Sequence, residues 1–363
     1  MIKPNWRNSI LNVSATLSEF LGNKNDITKI KIIKDKLKCG YKNVVFMCLD
    51  GMGIYPLSQN LAQNSFLRSN IKKTITSVFP STTTNATSTL CSATYPMQHG
   101  MFGWSLYLDE LERCVDVYLC TDSITGEKVD KEFVKKRFAF DYYFDTCSNG
   151  YETSAVFPTY VNHQKNNNAY QSTDEMFNIV KQILNRDGKQ FVYCYCGEPD
   201  ATMHEFGVTS EQTKRVLQDF DEKIKDLSQA HSNTLFIITC DHGHINITDY
   251  IELYKDKNLL KTLQRPASLE ARAVAFKVKR GCRKAFEKEI KKYKVLKLFK
   301  TSYLIKNNYF GPVSSNATLL GDYIAVVTDE HTQVLLNERS ERLKGHHTSL
   351  TKAEMLLPLI ILN

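Results

Sequence analysis

Three aspartates, each following a short apolar run, are the residues of this chain best placed to do chemistry. The run Val44–Leu49 ends in Asp50, Phe191–Cys196 leads through Gly197-Glu198-Pro199 to Asp200, and Leu235–Cys240 ends in Asp241. Apolar runs of four to eight residues without alternation mark strands buried on both faces. Ligands of an open parallel sheet collect just beyond the carboxyl ends of its strands. Asp50, Asp200 and Asp241 are therefore predicted at one edge of one sheet. His204 follows Asp200 by about one helical turn, and His242 adjoins Asp241. Converging carboxylates repel one another, so this cluster calls for a cation. Oxygen and nitrogen donors without thiolate suit zinc, manganese or iron. His347, in Lys344-Gly345-His346-His347-Thr348-Ser349-Leu350, completes one set with Asp200 and His204, while Asp50, Asp241 and His242 form a second. Two divalent ions about 4 Å apart form a clamp for in-line phosphoryl transfer.

A nucleophile for such a clamp is offered by Phe79-Pro80-Ser81-Thr82-Thr83-Thr84-Asn85-Ala86-Thr87, within the stretch richest in hydroxyls, Thr74–Gly100. A free threonine hydroxyl ionises too weakly to attack phosphorus at neutral pH, and a divalent metal supplies the missing activation. Spacing alone leaves Thr82, Thr83 and Thr84 all open, since hydroxyl runs also cap helices. Gly103-Trp104-Ser105-Leu106-Tyr107 follows, and its aromatics either stack on a substrate ring or pack in the core.

The elements that must position these residues read as α/β. Residues 1–40 form a helical lead-in, with Leu17, Phe20 and Leu21, then Ile27, Ile30, Ile33 and Leu37, at helical spacing. Strands are predicted at Asn43–Leu49, Thr153–Phe157, Phe191–Cys196, Leu235–Cys240 and Leu356–Leu362, with helices between them. Such alternation argues a three-layer αβα sandwich around a mainly parallel sheet. Residues 265–330 break the rhythm: Ala271–Val278 and Tyr323–Thr328 flank a basic helix and read as a small α+β insertion capping the site. The division is thus a catalytic domain of 1–264 and 331–363 and an insertion of 265–330.

The chain has 363 residues, ample for one large domain with an insertion, and its 42% hydrophobic and 24% charged content is that of a globular protein. No apolar stretch reaches the roughly 20 residues of a membrane span. Met1-Ile2-Lys3-Pro4-Asn5-Trp6-Arg7 lacks the pattern of a signal peptide, which sets the expectation of a cytoplasmic protein without membrane partners. Cys48, Cys194, Cys196 and Cys240 fall inside the buried strands and read as small hydrophobes in a reducing compartment. The net charge of +8 concentrates between Lys277 and Lys306, where interleaved glutamates indicate a solvated helix face and no nucleic-acid patch. The field still favours an anionic substrate.

The order Asp50-Gly51-Met52-Gly53, a threonine segment ending Tyr95-Pro96-Met97-Gln98-His99-Gly100, Glu198-Pro199-Asp200-x-x-x-His204, Asp241-His242-Gly243 and Gly345-His346-His347 resembles the alkaline phosphatase superfamily, most closely its type I phosphodiesterase/nucleotide pyrophosphatase branch. The likeness covers roughly residues 43–110, 190–245 and 340–363. In that family the nucleophile stands sixteen residues before the histidine of the Pro-x-x-His-Gly element, which the resemblance places at Thr83. It assigns Asp50, Asp241 and His242 to one metal and Asp200, His204 and His347 to the other, with Thr83 also coordinated to metal. It implies two divalent ions, zinc foremost and manganese next, and a phosphothreonine intermediate that water then hydrolyses. The substrate implied is a small anionic, nucleotide-like diester or pyrophosphate. The position three residues after the nucleophile, often Asn in the family, is Ala86, leaving Asn85 or a backbone amide to hold the phosphate; Trp104 and Tyr107 are the other substrate-binding candidates. The usual Thr-Gly before the Pro-x-x-His-Gly element is Ser92-Ala93. The same scaffold hosts monoester, phosphonate and sulfate-ester hydrolases, and a non-catalytic nucleotide-binding relative would lack a ligand or the nucleophile. A monoesterase needs a cation over the phosphate, for which Arg265 and Arg272 are the candidates. His244 reads as a loop or supporting residue, and His99 as a structural one.

Overall fold

The structure, a computed structural model, describes residues 1–161, 163 and 165–363. Its main sheet has seven strands in the order Ile71–Thr76, Leu356–Leu362, Thr234–Thr239, Asn43–Leu49, Lys189–Cys196, Tyr151–Pro158 and Asn167–Tyr170. Leu356–Leu362 runs antiparallel to both its neighbours, and the remaining pairs are parallel. Every residue of Asn43–Leu49 is buried. Because successive side chains of a strand point to opposite faces, both faces of the sheet are covered, which gives the three layers read from the sequence. The helix Glu211–Ala230 buries Leu217, Phe220, Ile224 and Leu227, and Thr173–Leu184 buries Met176, Phe177, Val180 and Ile183. Both stripes follow helical spacing. The lead-in folds as two helices, Ile10–Phe20 and Lys31–Leu37. Among the described residues no helix is long and apolar enough to cross a membrane.

Register explains why the acids converge. Leu49 pairs with Cys196, and Cys48 pairs with Thr239, so three parallel strands end level. The Asp50 amide donates to the Cys196 carbonyl at 2.9 Å, and the Asp200 amide to the Asp50 carbonyl at 3.1 Å.

A second sheet, antiparallel throughout, has the order Leu296–Lys300, Tyr323–Val327, Ala273–Phe276, Ser268–Leu269, Ser105–Leu108, Arg113–Asp116 and Thr121–Asp122. Residues 265–330 supply four of these strands, and the other three come from 105–122. The basic helix Arg283–Ile290 lays Phe286 and Ile290 on this sheet's core and leaves Arg283, Lys284 and Lys288 in solvent.

Candidate metal centre and nucleophile

The carboxylates and imidazoles at the level strand ends form two adjoining groups. Asp50, Asp241 and His242 make one, and Asp200, His204, His244 and His347 make the other. His242 Nε2 stands 3.2 Å from both Asp50 Oδ1 and Asp241 Oδ2. In the second group Asp200 faces His204 Nε2 at 3.2 Å, His244 Nε2 at 3.3 Å and His347 Nε2 at 3.6 Å. The groups touch where the rings of His242 and His347 stack at 3.6 Å.

Each of the four histidines turns Nδ1 to a backbone carbonyl: His204 to Gly345, His242 to Gly243, His244 to Ile245 and His347 to Ser81, at 2.8 to 3.3 Å. A carbonyl only accepts, so Nδ1 carries the proton and Nε2 presents a lone pair. Lone pairs therefore face carboxylate oxygens across the whole cluster. Asp50 Oδ1, Asp200 Oδ1, Asp241 Oδ2 and His244 Nε2 are buried without a hydrogen-bond partner. Orphaned buried groups of this kind are costly, and divalent cations satisfy all four. The donor set thus fits two metal ions. The other carboxylate oxygens are held: Tyr195 Oη donates to Asp50 Oδ2 at 2.5 Å, and the amides of Gly51 and His242 donate to Asp241 Oδ1 at 3.2 and 2.9 Å. Burial pushes the Asp50 and Asp241 carboxyls well above the usual range, Asp50 further still beside Asp200. Although burial opposes it, the Asp200 carboxylate lifts His204 to about 9. Without cations the centre compensates its charge with protons.

Thr83 opens the helix Thr83–Ser92, and its Oγ1 lies 3.1 Å from His242 Nε2. Thr82, the residue before it, has extended backbone but does not cap the helix. Its hydroxyl donates instead to Glu270 Oε1 at 2.7 Å, and the Trp104 amide donates to the same oxygen at 2.7 Å. The amides of the helix's first turn are left uncapped by any side chain, beside Thr83, where they suit an anion. Thr84 is buried.

The turn joining Ser268–Leu269 to Ala273–Phe276 reaches the other group as well. The Arg272 amide donates to Thr348 Oγ1 at 3.0 Å, next to His347. The Arg272 guanidinium, fully buried, grips Glu354 at 2.9 and 3.2 Å, and Glu354 in turn accepts from the Ser349 amide and the Thr351 hydroxyl. Leu269 and Thr348 both take left-handed φ, at 88° and 107°, a conformation costly for non-glycine residues. One hairpin tip is thus wedged between the Thr83 turn and the His347 loop.

A profile of the type I phosphodiesterase/nucleotide pyrophosphatase family matches residues 44–350. The chain belongs to that family. Among solved structures, this phosphodiesterase-family chain is similar to murine ectonucleotide pyrophosphatase/phosphodiesterase 5, with 17% identity, a TM-score of 0.65, and coverage of 88% of this chain and 87% of that one. It is similar also to phosphonoacetate hydrolase from Sinorhizobium meliloti 1021 in complex with phosphonoformate, with 15% identity, a TM-score of 0.64, and coverage of 87% and 89%. At such identities the likeness is one of fold. No curated protein matches.

The phosphodiesterase-family site places the remaining candidates unevenly. Asn85 is buried, and its amide donates to the Pro80 carbonyl at 2.8 Å, within its own turn. Trp104 is 38% exposed and meets Tyr118 edge-on at 6.0 Å, while Tyr118 Oη bonds Thr87 one helical turn from Thr83 at 2.9 Å. Tyr107 instead carries the Arg265 guanidinium on its ring at 4.5 Å, and Arg265 pairs with Asp109 at 3.1 Å. His99 is structural: Nδ1 accepts from the Met101 amide and Nε2 donates to Thr89. His346 accepts the His347 amide on Nδ1. Sequence reasoning missed Tyr195 and Glu270, and it read His244 only as a loop or supporting residue, whereas the structure sets its Nε2 3.3 Å from Asp200. His242 and His244 are two residues apart, a spacing that puts both on one side of an extended segment, and that was the available signal for His244.

Proposed function

We propose that this metal-dependent phosphoester hydrolase cleaves a small anionic phosphodiester or nucleotide-like pyrophosphate through a phosphothreonine on Thr83. The observation that carries the reading is Thr83 Oγ1 at 3.1 Å from His242 Nε2, at the uncapped start of a helix. Asp50, Asp241 and His242 would hold one divalent ion with Thr83, and Asp200, His204 and His347 the other, zinc or manganese. Such ions lower the pKa of the attacking group and neutralise charge on the phosphoryl oxygens. Thr83 then presents its oxygen to phosphorus, and the helix amides replace the Asn85 side chain as donors to the phosphate. The half-exposed Trp104 and Tyr118 border the substrate side, whereas Tyr107 is engaged by Arg265. A cytoplasmic setting is proposed from Cys48, Cys194, Cys196 and Cys240, unpaired in the central strands.

A diester is favoured over a monoester because the two arginines that could have covered the extra charge are engaged elsewhere, Arg272 by Glu354 and Arg265 by Asp109. Phosphonate hydrolysis stands as the second reading, since one structural neighbour is a phosphonoacetate hydrolase. The test is turnover of bis(4-nitrophenyl) phosphate, 4-nitrophenyl phosphate and phosphonoacetate by metal-stripped protein given zinc or manganese. Metal-dependent preference for the diester is expected, with Thr83→Ala slower by about 1,000-fold or more at saturating metal. A Thr83→Ala variant of full activity would sink the assignment.

A further inference from the structure

The cluster around Asp200 holds one imidazole more than the ion assigned to it requires. Resting on the two-ion reading above, we propose that His244 is a fourth protein ligand of the ion held by Asp200, His204 and His347.

Three independent features point there. First, the ring is fully buried, its Nδ1 faces the Ile245 carbonyl, and its Nε2 has no hydrogen-bond partner although it stands 3.3 Å from Asp200 Oδ1. A bare nitrogen against a carboxylate oxygen is repulsive unless a cation lies between them. Second, the spacings are those of a shared ion. Four nitrogen or oxygen donors at zinc bond lengths of about 2.0–2.2 Å around a tetrahedron stand roughly 3.3–3.6 Å apart. His244 and His347 stand 3.3 and 3.6 Å from Asp200 Oδ1, His204 stands 3.2 Å from Asp200 Oδ2, and one ligand atom from each of the four residues lies within 4.8 Å of every other. Third, the backbone is shaped to admit this ring. A Cβ at Gly345 would stand 2.7 Å from His244 Cε1 and 2.4 Å from the Met203 carbonyl, so only glycine lets His244 reach its place.

The chemical consequence is an asymmetric pair. Asp200, His204, His244 and His347 supply four side-chain donors, three of them imidazoles. The Asp50, Asp241 and His242 group supplies three, and its fourth donor is the neutral Thr83 hydroxyl, a weaker ligand than an imidazole. The His244 group therefore retains its ion more tightly and fills first.

The experiment loads metal-stripped protein with one equivalent of zinc and counts imidazoles per zinc by X-ray absorption, alongside a zinc titration against a chromophoric chelator. Three imidazoles per zinc and two binding steps of unequal strength are expected. In His244→Ala the tight step should weaken by about 10-fold or more, with two imidazoles remaining. Two imidazoles or fewer in the wild type at one equivalent, or an unchanged tight step in His244→Ala, would overturn the assignment of His244 while leaving the two-ion reading standing. A wild type that binds no zinc and no manganese overturns both. The wild-type count decides the matter even where the variant fails to fold.

Discussion

Tyr195→Phe removes one oxygen atom, and the structure fixes what that should do. The phenol is buried in the strand Lys189–Cys196, and its hydroxyl donates to Asp50 Oδ2 at 2.5 Å. That length belongs to a charge-assisted O–H···O⁻ bond. Asp50 Oδ1 is the orphaned oxygen facing His242, so Tyr195 settles which oxygen is free for a cation. Hydrogen bonds to charged groups contribute about 1.5–3 kcal/mol. At about 1.4 kcal/mol per decade, the loss weakens zinc at the Asp50 group by roughly 10- to 100-fold, the range typical of groups that orient metal ligands. The assay is chelator competition on wild type and variant, paired with thermal unfolding of metal-free and zinc-loaded protein. Zinc at about 100 times Kd stabilises by about 2.7 kcal/mol, and a tenfold weaker site gives about 1.4 kcal/mol at the same zinc concentration. The variant should therefore show a smaller zinc-induced rise in Tm, with the metal-free Tm much less affected. Wild-type zinc affinity in Tyr195→Phe, or equal destabilisation with and without zinc, would refute the role given to the phenol.

Two further outcomes are expected. Glu270→Ala strands the Thr82 hydroxyl and the Trp104 amide in a buried site and should cost about 2 kcal/mol in urea unfolding, with a loss of kcat as the nucleophile turn loosens; Glu270→Gln, which keeps an acceptor oxygen, should recover most of both, and an Ala variant as stable as wild type would show the carboxylate to be idle. Burial holds His99 at about 3, below the ordinary histidine value of 6.5. Below pH 6.5 the unfolded chain takes up a proton that the folded chain refuses, so stability falls with pH by on the order of 1 kcal/mol per unit from this group until the pH nears 3. His99→Gln should flatten the acid side of a Tm-against-pH curve, and an identical slope would refute the assignment.

Much of the centre was legible because buried parallel strands leave an unmistakable trace. Val44–Leu49 and Leu235–Cys240 lack alternation, so their faces, their layer and the position of the acid at each end follow together. His347 was separable from His346 by its place before the terminal strand. What escaped notice was decided by contacts distant in sequence. His244 reaches Asp200 only because Gly345, 101 residues later, carries no side chain. Tyr195 reads as one more apolar residue in its run, and nothing local announces that its hydroxyl meets Asp50. The second sheet depends on Leu269 pairing with Ser105, a junction with no short-range signature. The strand Leu296–Lys300 sits at the edge of its sheet with Lys297 and Lys300 flanking Leu298-Phe299, and was obscured by the lysines around it.

The hairpin tip at Leu269–Ala273 has a consequence for how such an enzyme can change. Glu270 fastens it to the turn that carries Thr83, and Arg272 fastens it through Thr348 and Glu354 to the loop that carries His347. A segment bolted to both halves of the centre cannot swing as a lid, and it cannot be exchanged as a module without dismantling the chemistry beneath it. If Trp104 and Tyr118 border the substrate as proposed, adaptation to new substrates falls to them, exposed side chains that can be replaced one at a time while the frame behind them stays fixed.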